Sequence, residues 1–154
     1  MPHNLNVVLL EPEIPSNTGS IGRLCLATQS TLHLVEPLGF EITDSRLKRA
    51  GLDYWQHLDV VRHADWNAFL QTLPPDAPCI FFSKKAKKLY SEHRYQPGSY
   101  LIFGKETLGL PEELINAHPE TAVRVPQYDD RVRSLNLSNV VSIAVYEALR
   151  QLGY

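Results

Sequence analysis

At 154 residues, with 44% hydrophobic and 21% charged residues, the chain has the size and composition of one globular domain, taken as residues 1–154. No apolar run is long enough to span a bilayer, and Met1-Pro2-His3-Asn4-Leu5 lacks the basic and apolar regions of a secretory signal, so a cytoplasmic protein is expected. A formal net charge of −2 speaks against a protein that holds nucleic acid through its overall field. Only local basic groupings are left for that purpose: Arg46, Lys48 and Arg49; Lys84, Lys85, Lys87 and Lys88 with Arg94; Arg131 and Arg133.

The chain opens on Asn6-Val7-Val8-Leu9-Leu10, a continuous apolar run ended by Glu11-Pro12, as expected of a strand buried on both faces. A helix follows from Thr18 to Gln29 with Asn17 as its N-cap. Within it Arg23 lies among Ile21, Leu24, Cys25, Leu26 and Ala27, a buried setting in which a guanidinium needs a carboxylate or phosphate partner. Further strands are expected at Leu32 to Val35, Leu58 to Val61, Cys79 to Phe82, Tyr100 to Phe103 and Ala122 to Val125. Helices are expected at Ser45 to Ala50, stopped by Gly51, at Asp65 to Leu73, and at Pro111 to Ala117 with proline in the first turn. Such alternation predicts an α/β fold, a mostly parallel sheet flanked by helices.

The last helix, Leu137 to Leu152 with Gly153 as its stop, is apolar around most of its circumference and leaves a narrow polar stripe at Ser142, Tyr146 and Arg150. A subunit partner is the expected cover for part of it, which predicts a homodimer. Cys25 and Cys79 stand apart among apolar residues and the six histidines are scattered singly, so no metal site is predicted.

Three segments stand out chemically. Gly104-Lys105-Glu106-Thr107-Leu108-Gly109-Leu110-Pro111 lies between a strand and a helix, at the carboxyl end of a sheet where ligands bind. Its glycines admit close backbone approach, but Leu110-Pro111 stands where a phosphate loop needs Lys and Ser or Thr, so an ATP or GTP site is not expected. Gly19 and Gly22 have the wrong spacing for a dinucleotide fingerprint. Ile14-Pro15-Ser16-Asn17-Thr18-Gly19 follows the first strand, and Ser134-Leu135-Asn136-Leu137-Ser138-Asn139 supplies more hydrogen-bonding side chains than a helix start requires.

Taken in order, Pro12 to Gly19 with Arg23, Phe103 to Pro111, and Ser134 to Asn139 resemble the three motifs of the SPOUT RNA methyltransferases. Glu36-Pro37-Leu38-Gly39-Phe40 and Arg49-Ala50-Gly51-Leu52-Asp53-Tyr54-Trp55 are similar to the minimal TrmL (YibK) branch, and the resemblance spans nearly the whole chain. It implies a fold whose C-terminal part forms a deep trefoil knot, and a homodimer. It further implies S-adenosyl-L-methionine as cofactor and methylation of the ribose 2'-hydroxyl of the wobble nucleotide, cytidine or modified uridine at position 34, in leucine tRNAs. The cofactor residues it implies are Phe82, Gly104, Val125 and Ser134, with Arg23 and Asn136 as catalytic residues facing the ribose and phosphate of the target. Alternatives left open are another tRNA site or ribosomal RNA as substrate, a catalytically silent knotted RNA-binding protein, and a nucleotide-dependent oxidoreductase.

Overall fold

The computed structural model describes residues 3–43, 45, 49 and 52–154. Of the helix expected at 45–50, Ser45 and Arg49 are helical, while Arg46, Lys48, Ala50 and the expected stop at Gly51 lie outside the described residues. Seven strands form one sheet: β1 Asn6–Leu10, β2 Thr31–Val35, β3 Val60–His63, β4 Cys79–Phe82, β5 Lys88–Leu89, β6 Tyr100–Phe103 and β7 Ala122–Arg124. Their order across the sheet is β3-β2-β1-β6-β4-β7-β5, and every paired neighbour runs parallel. The carboxyl ends of all the strands therefore open onto one edge. Because β2 lies on one side of β1 and β6 on the other, the loops after β1 and β6 diverge at a topological switch point.

The apolar runs are continuous because alternate residues of each strand enter different cores. Val7 and Leu9 of β1, Leu32 and Leu34 of β2, and Leu101 and Phe103 of β6 belong to one cluster. It is completed by Ile21 and Cys25 of α1 (Pro15–Thr28) and by Val141, Ala144, Val145 and Ala148 of the last helix, α4 (Leu137–Leu152). Val8, Leu10, Val35 and Ile102 point the other way and pack with Phe69 of α2 (Trp66–Thr72) and Ile115 of α3 (Glu112–Ala117). At α4, Asn136 accepts from the N–H groups of Ser138 and Asn139, and Gly153 ends the helix at φ 88°.

Four expectations are corrected. Helix α1 begins at Pro15, so Asn17 lies inside its first turn and is not the N-cap; Ile14 holds that position without a side-chain cap. Strand β3 starts at Val60, two residues later than expected. Leu58 is apolar for another reason: with Trp55 it closes over Gly22 of α1, where an added Cβ would meet Trp55 Cζ3 at 2.7 Å and Leu58 Cδ2 at 2.9 Å. Helix α4 is better covered within one chain than its sequence suggests, since Val141, Ala144, Val145 and Ala148 are fully buried and only Ile143 and Tyr146 are large exposed apolar side chains. Arg23 is not buried; it is solvent-exposed, with its guanidinium carbon 5.2 Å from the centroid of the Tyr54 ring.

A buried polar cluster ties the first three strands together. His33 lies 3.0 Å from His63, nitrogen to nitrogen, and 2.9 Å from Asn6 Oδ1. The Asn6 oxygen can only accept, so His33 Nε2–H donates to it, and His33 Nδ1 accepts from His63 Nε2–H. Burial, and secondarily the facing His63, push the His33 pKa down to about 4, while Asp59 acts in the opposite direction. The folded form thus resists protonation below the ordinary value near 6.5. Stability from this site is fully present above that value and is lost as pH falls toward 4, amounting to about 2 kcal/mol by pH 5. Denaturant titrations at pH 7 and pH 5 check this: the parent is expected to lose more stability than His33→Phe over that interval. Equal losses would show that the pair does not set the acid sensitivity.

Among the described residues no helix is long and apolar enough to cross a membrane, and no group of three or more His, Cys, Asp or Glu side chains is gathered to hold a metal ion.

Candidate active site

The segment leading into α1 is held by a carboxylate from across the switch point. Glu106, in the turn after β6, accepts from Glu13 N at 2.8 Å, Ile14 N at 2.9 Å and Asn17 Nδ2 at 3.2 Å. Glu13 answers by accepting from the N–H and hydroxyl of Thr107 at 3.0 and 2.7 Å, and those two donors hold its carboxyl below the usual carboxylate range. Lys105 adds an ion pair with Glu11 at 3.1 Å. Two loops 92 to 94 residues apart in sequence are thereby clamped in one geometry.

The third segment locks onto the same place. Asn136 Nδ2 donates to Asn17 Oδ1 at 3.2 Å while Asn136 Oδ1 caps α4, so one amide fixes both a helix start and its neighbour's orientation. Arg133 donates to Thr107 O at 3.0 Å, and Lys84 Nζ donates to Arg133 O at 2.7 Å. Residues 84, 107 and 133 are thereby joined in series by hydrogen bonds.

The turn itself is closed by Gly109 N–H donating to Lys105 O at 2.9 Å, with Gly109 at φ +69°. Gly104 has a different reason to be glycine. A Cβ there would lie 2.0 Å from Gly109 C and 2.2 Å from Leu110 N, so any side chain breaks the turn before it could block a ligand.

Behind this polar rim lies a cleft of about 380 Å³, within the range typical of small-ligand sites. Phe82, Gly104, Val125, Ser134 and Asn136, all expected from the sequence, line it together. Arg23 does not. Asn17 and Glu106, which the sequence placed in the active-site segments without a pocket role, also line it, as do Phe103, Leu110 and Val140, which it did not assign to the pocket. The Phe82 and Phe103 rings are stacked with centroids 4.6 Å apart, forming an apolar wall at the ends of β4 and β6. The pairing of Phe82 with Phe103 across the two strands is a tertiary register that no sequence spacing displays.

The fold and this site define an RNA methyltransferase class. The SpoU rRNA Methylase family matches residues 4–146, and the chain belongs to that family, with its α/β SPOUT fold. It is similar over its length to the tRNA (cytidine(34)-2'-O)-methyltransferase of Escherichia coli (strain K12), at 51% identity over 97% of this chain and 95% of the relative. The protein of the same description from Burkholderia cenocepacia (strain HI2424) is 47% identical over 97% of this chain and 96% of its own. A solved structure concerned with 2-OH methylation of C/U34 on tRNA superposes with a TM-score of 0.93 at 45% identity, covering 99% of this chain and 98% of that one.

Proposed function

We propose that this chain transfers the methyl group of S-adenosyl-L-methionine to the ribose 2'-hydroxyl of the wobble nucleotide, cytidine or uridine 34, of leucine tRNAs. It would do so as a single domain over residues 1–154, paired as a homodimer in the cytoplasm. The observation that carries this reading is the polar rim Glu106, Asn17 and Asn136, hydrogen-bonded in series at the mouth of an apolar cleft. The similarity to tRNA nucleotide-34 methyltransferases supports the choice of target.

The cleft suits the cofactor. Phe82, Phe103, Leu110, Val125 and Val140 offer apolar cover for an adenine, and Gly104 and Ser134 supply the polar edge of the pocket. When bound, S-adenosylmethionine supplies an electrophilic methyl group on a sulfonium. The chain's own part is alignment. Asn136 faces the ribose with its amide already fixed by Asn17 and by the start of α4, so little ordering is left to do when RNA arrives. Glu106 and Glu13 are engaged as acceptors and act as structural clamps, leaving the proton of the target hydroxyl to no carboxylate of the rim. Arg23 serves the RNA phosphate from outside the cleft. Methyl transfer from labelled cofactor to purified total tRNA, followed by locating the modified ribose, tests the proposal. Label at nucleotide 34 of leucine isoacceptors is expected, and label confined to another position or to ribosomal RNA would overturn it.

For the homodimer, the support is the exposed pair Ile143 and Tyr146, one turn apart on α4 with Tyr146 at 56% exposure. Val145 is unsuitable for testing this because it is fully buried within one chain, so a charge there would unfold the monomer. Tyr146→Glu is expected to sediment as a monomer with its helical circular dichroism retained. A parent protein that is itself monomeric at micromolar concentration would refute the dimer.

A further inference from the structure

The loop from β7 to α4 carries Tyr128 at 93% exposure, far beyond what packing requires of an aromatic ring. That loop is braced from within. The Gln127 side-chain amide donates to Asp129 O at 3.1 Å and to Val132 O, and the Asp129 carboxylate accepts from the Arg131 backbone N–H at 2.9 Å and from its guanidinium. The loop's far end is anchored by Arg133 on Thr107 O and by Lys84 on Arg133 O. Tyr128 is therefore displayed on a supported turn.

Around it is an open concavity of about 830 Å³ in which Lys84, Arg124, Arg131 and Arg133 outnumber Asp129 and Asp130. The local excess of positive charge contrasts with the net −2 of the chain. Lys84, Val125, Gln127 and Arg133 line both this concavity and the cofactor cleft, so the two are continuous. An unpaired RNA loop that enters the cleft with one nucleotide can lay an adjoining nucleotide over this continuous surface. Single-stranded RNA is read largely by stacking its bases on aromatic rings between cations that meet the backbone.

From this arrangement we infer that Tyr128 is a stacking platform for the unpaired base next to the target nucleotide, with Lys84 and Arg133 in the same concavity meeting the RNA backbone. The inference rests on tRNA being the substrate and adds a specificity-determining residue that the three motifs do not contain. A second copy of the chain is a poorer occupant, because Tyr128 and Val132 are isolated among charges and offer no contiguous apolar core for an interface.

Tyr128→Ala is expected to raise KM for tRNA roughly 5- to 150-fold, the range for losing one base–aromatic stack. The value of kcat at saturating tRNA, the affinity for S-adenosylhomocysteine and the sedimentation coefficient should stay at parental values. Tyr128→Trp should keep the parental KM and Tyr128→Leu should not. In an anticodon stem-loop, an abasic residue at position 33 or 35 should weaken binding to the parent but add little further loss to Tyr128→Ala. An unchanged KM in Tyr128→Ala overturns the inference, as does a loss that appears in cofactor affinity or in oligomeric state. If the parent itself fails to methylate nucleotide 34, the reading of the substrate fails first; if the parent succeeds and Tyr128→Ala matches it, only the stacking platform is refuted.

Discussion

Glu106→Ala is expected to lower methyl transfer by about a hundredfold and to destabilise the fold by about 2–4 kcal/mol. The side chain is partly buried and gathers three donors from one turn of chain: the N–H groups of Glu13 and Ile14 and the amide of Asn17. Hydrogen bonds to a charged acceptor contribute about 1.5–3 kcal/mol each, and they are not additive where one carboxylate serves all three. Alanine releases the segment that leads into α1 and the side chain of Asn17 in its first turn. The expected catalytic loss follows from geometry: Glu106 holds Asn17 and Asn17 holds Asn136, so alanine loosens the amide that we propose faces the ribose. A misplacement of about 1 Å in a positioning group costs on the order of a hundredfold. Glu106→Gln should fall nearer to alanine than to the parent, since its NH₂ group would face N–H donors. Parental kcat in an alanine variant with a lowered melting point would reduce Glu106 to a purely structural clamp.

The elements that sequence displayed best are those whose physics is local or two-sided. Strands β1, β2, β4 and β6 are buried on both faces, so each is a continuous apolar run with visible ends. Strand β5, Lys88–Leu89, has two residues at the sheet edge and leaves no apolar trace. Asn17 was open to misreading because a polar residue beside Pro15 suits a cap, whereas its actual partners are 89 and 119 residues away. Nothing in a local pattern encodes such separations; ordered motifs resembling a family did, and they brought Phe82, Gly104, Val125, Ser134 and Asn136 to one cleft. The exposure of Arg23 has a local signature. Ser16, Ser20, Arg23 and Ala27 are all exposed and recur at spacings of four, three and four, which is the stripe of a helix that faces away from its core.

Arg23→Ala is expected to retain cofactor binding and lose methyl transfer by about a hundredfold, and the lost function should be recoverable from a second copy of the chain. Arg23 follows Asn17 by six residues, which carries it roughly a third of a turn around α1 from the side chain that lines the cleft, and about 9 Å along the axis. Its guanidinium is exposed over Tyr54, with its planar donors available to a phosphate. A group so placed does not line its own cleft, whereas in a two-fold dimer the same surface of one protomer can face the other's bound RNA. Mixing and reassembling Arg23→Ala with Asn136→Ala separates the alternatives. If Arg23 serves the partner's site, half of the dimers formed at random are mixed and each keeps one intact site, restoring about a quarter of parental activity. If it serves its own site, every site in a mixed dimer carries one defect and no activity returns. Arg23→Lys should rescue poorly in either case, because an ammonium lacks the two-point contact of a guanidinium with phosphate. Near-parental turnover by Arg23→Ala alone would leave Arg23 with no role beyond its contact with Tyr54.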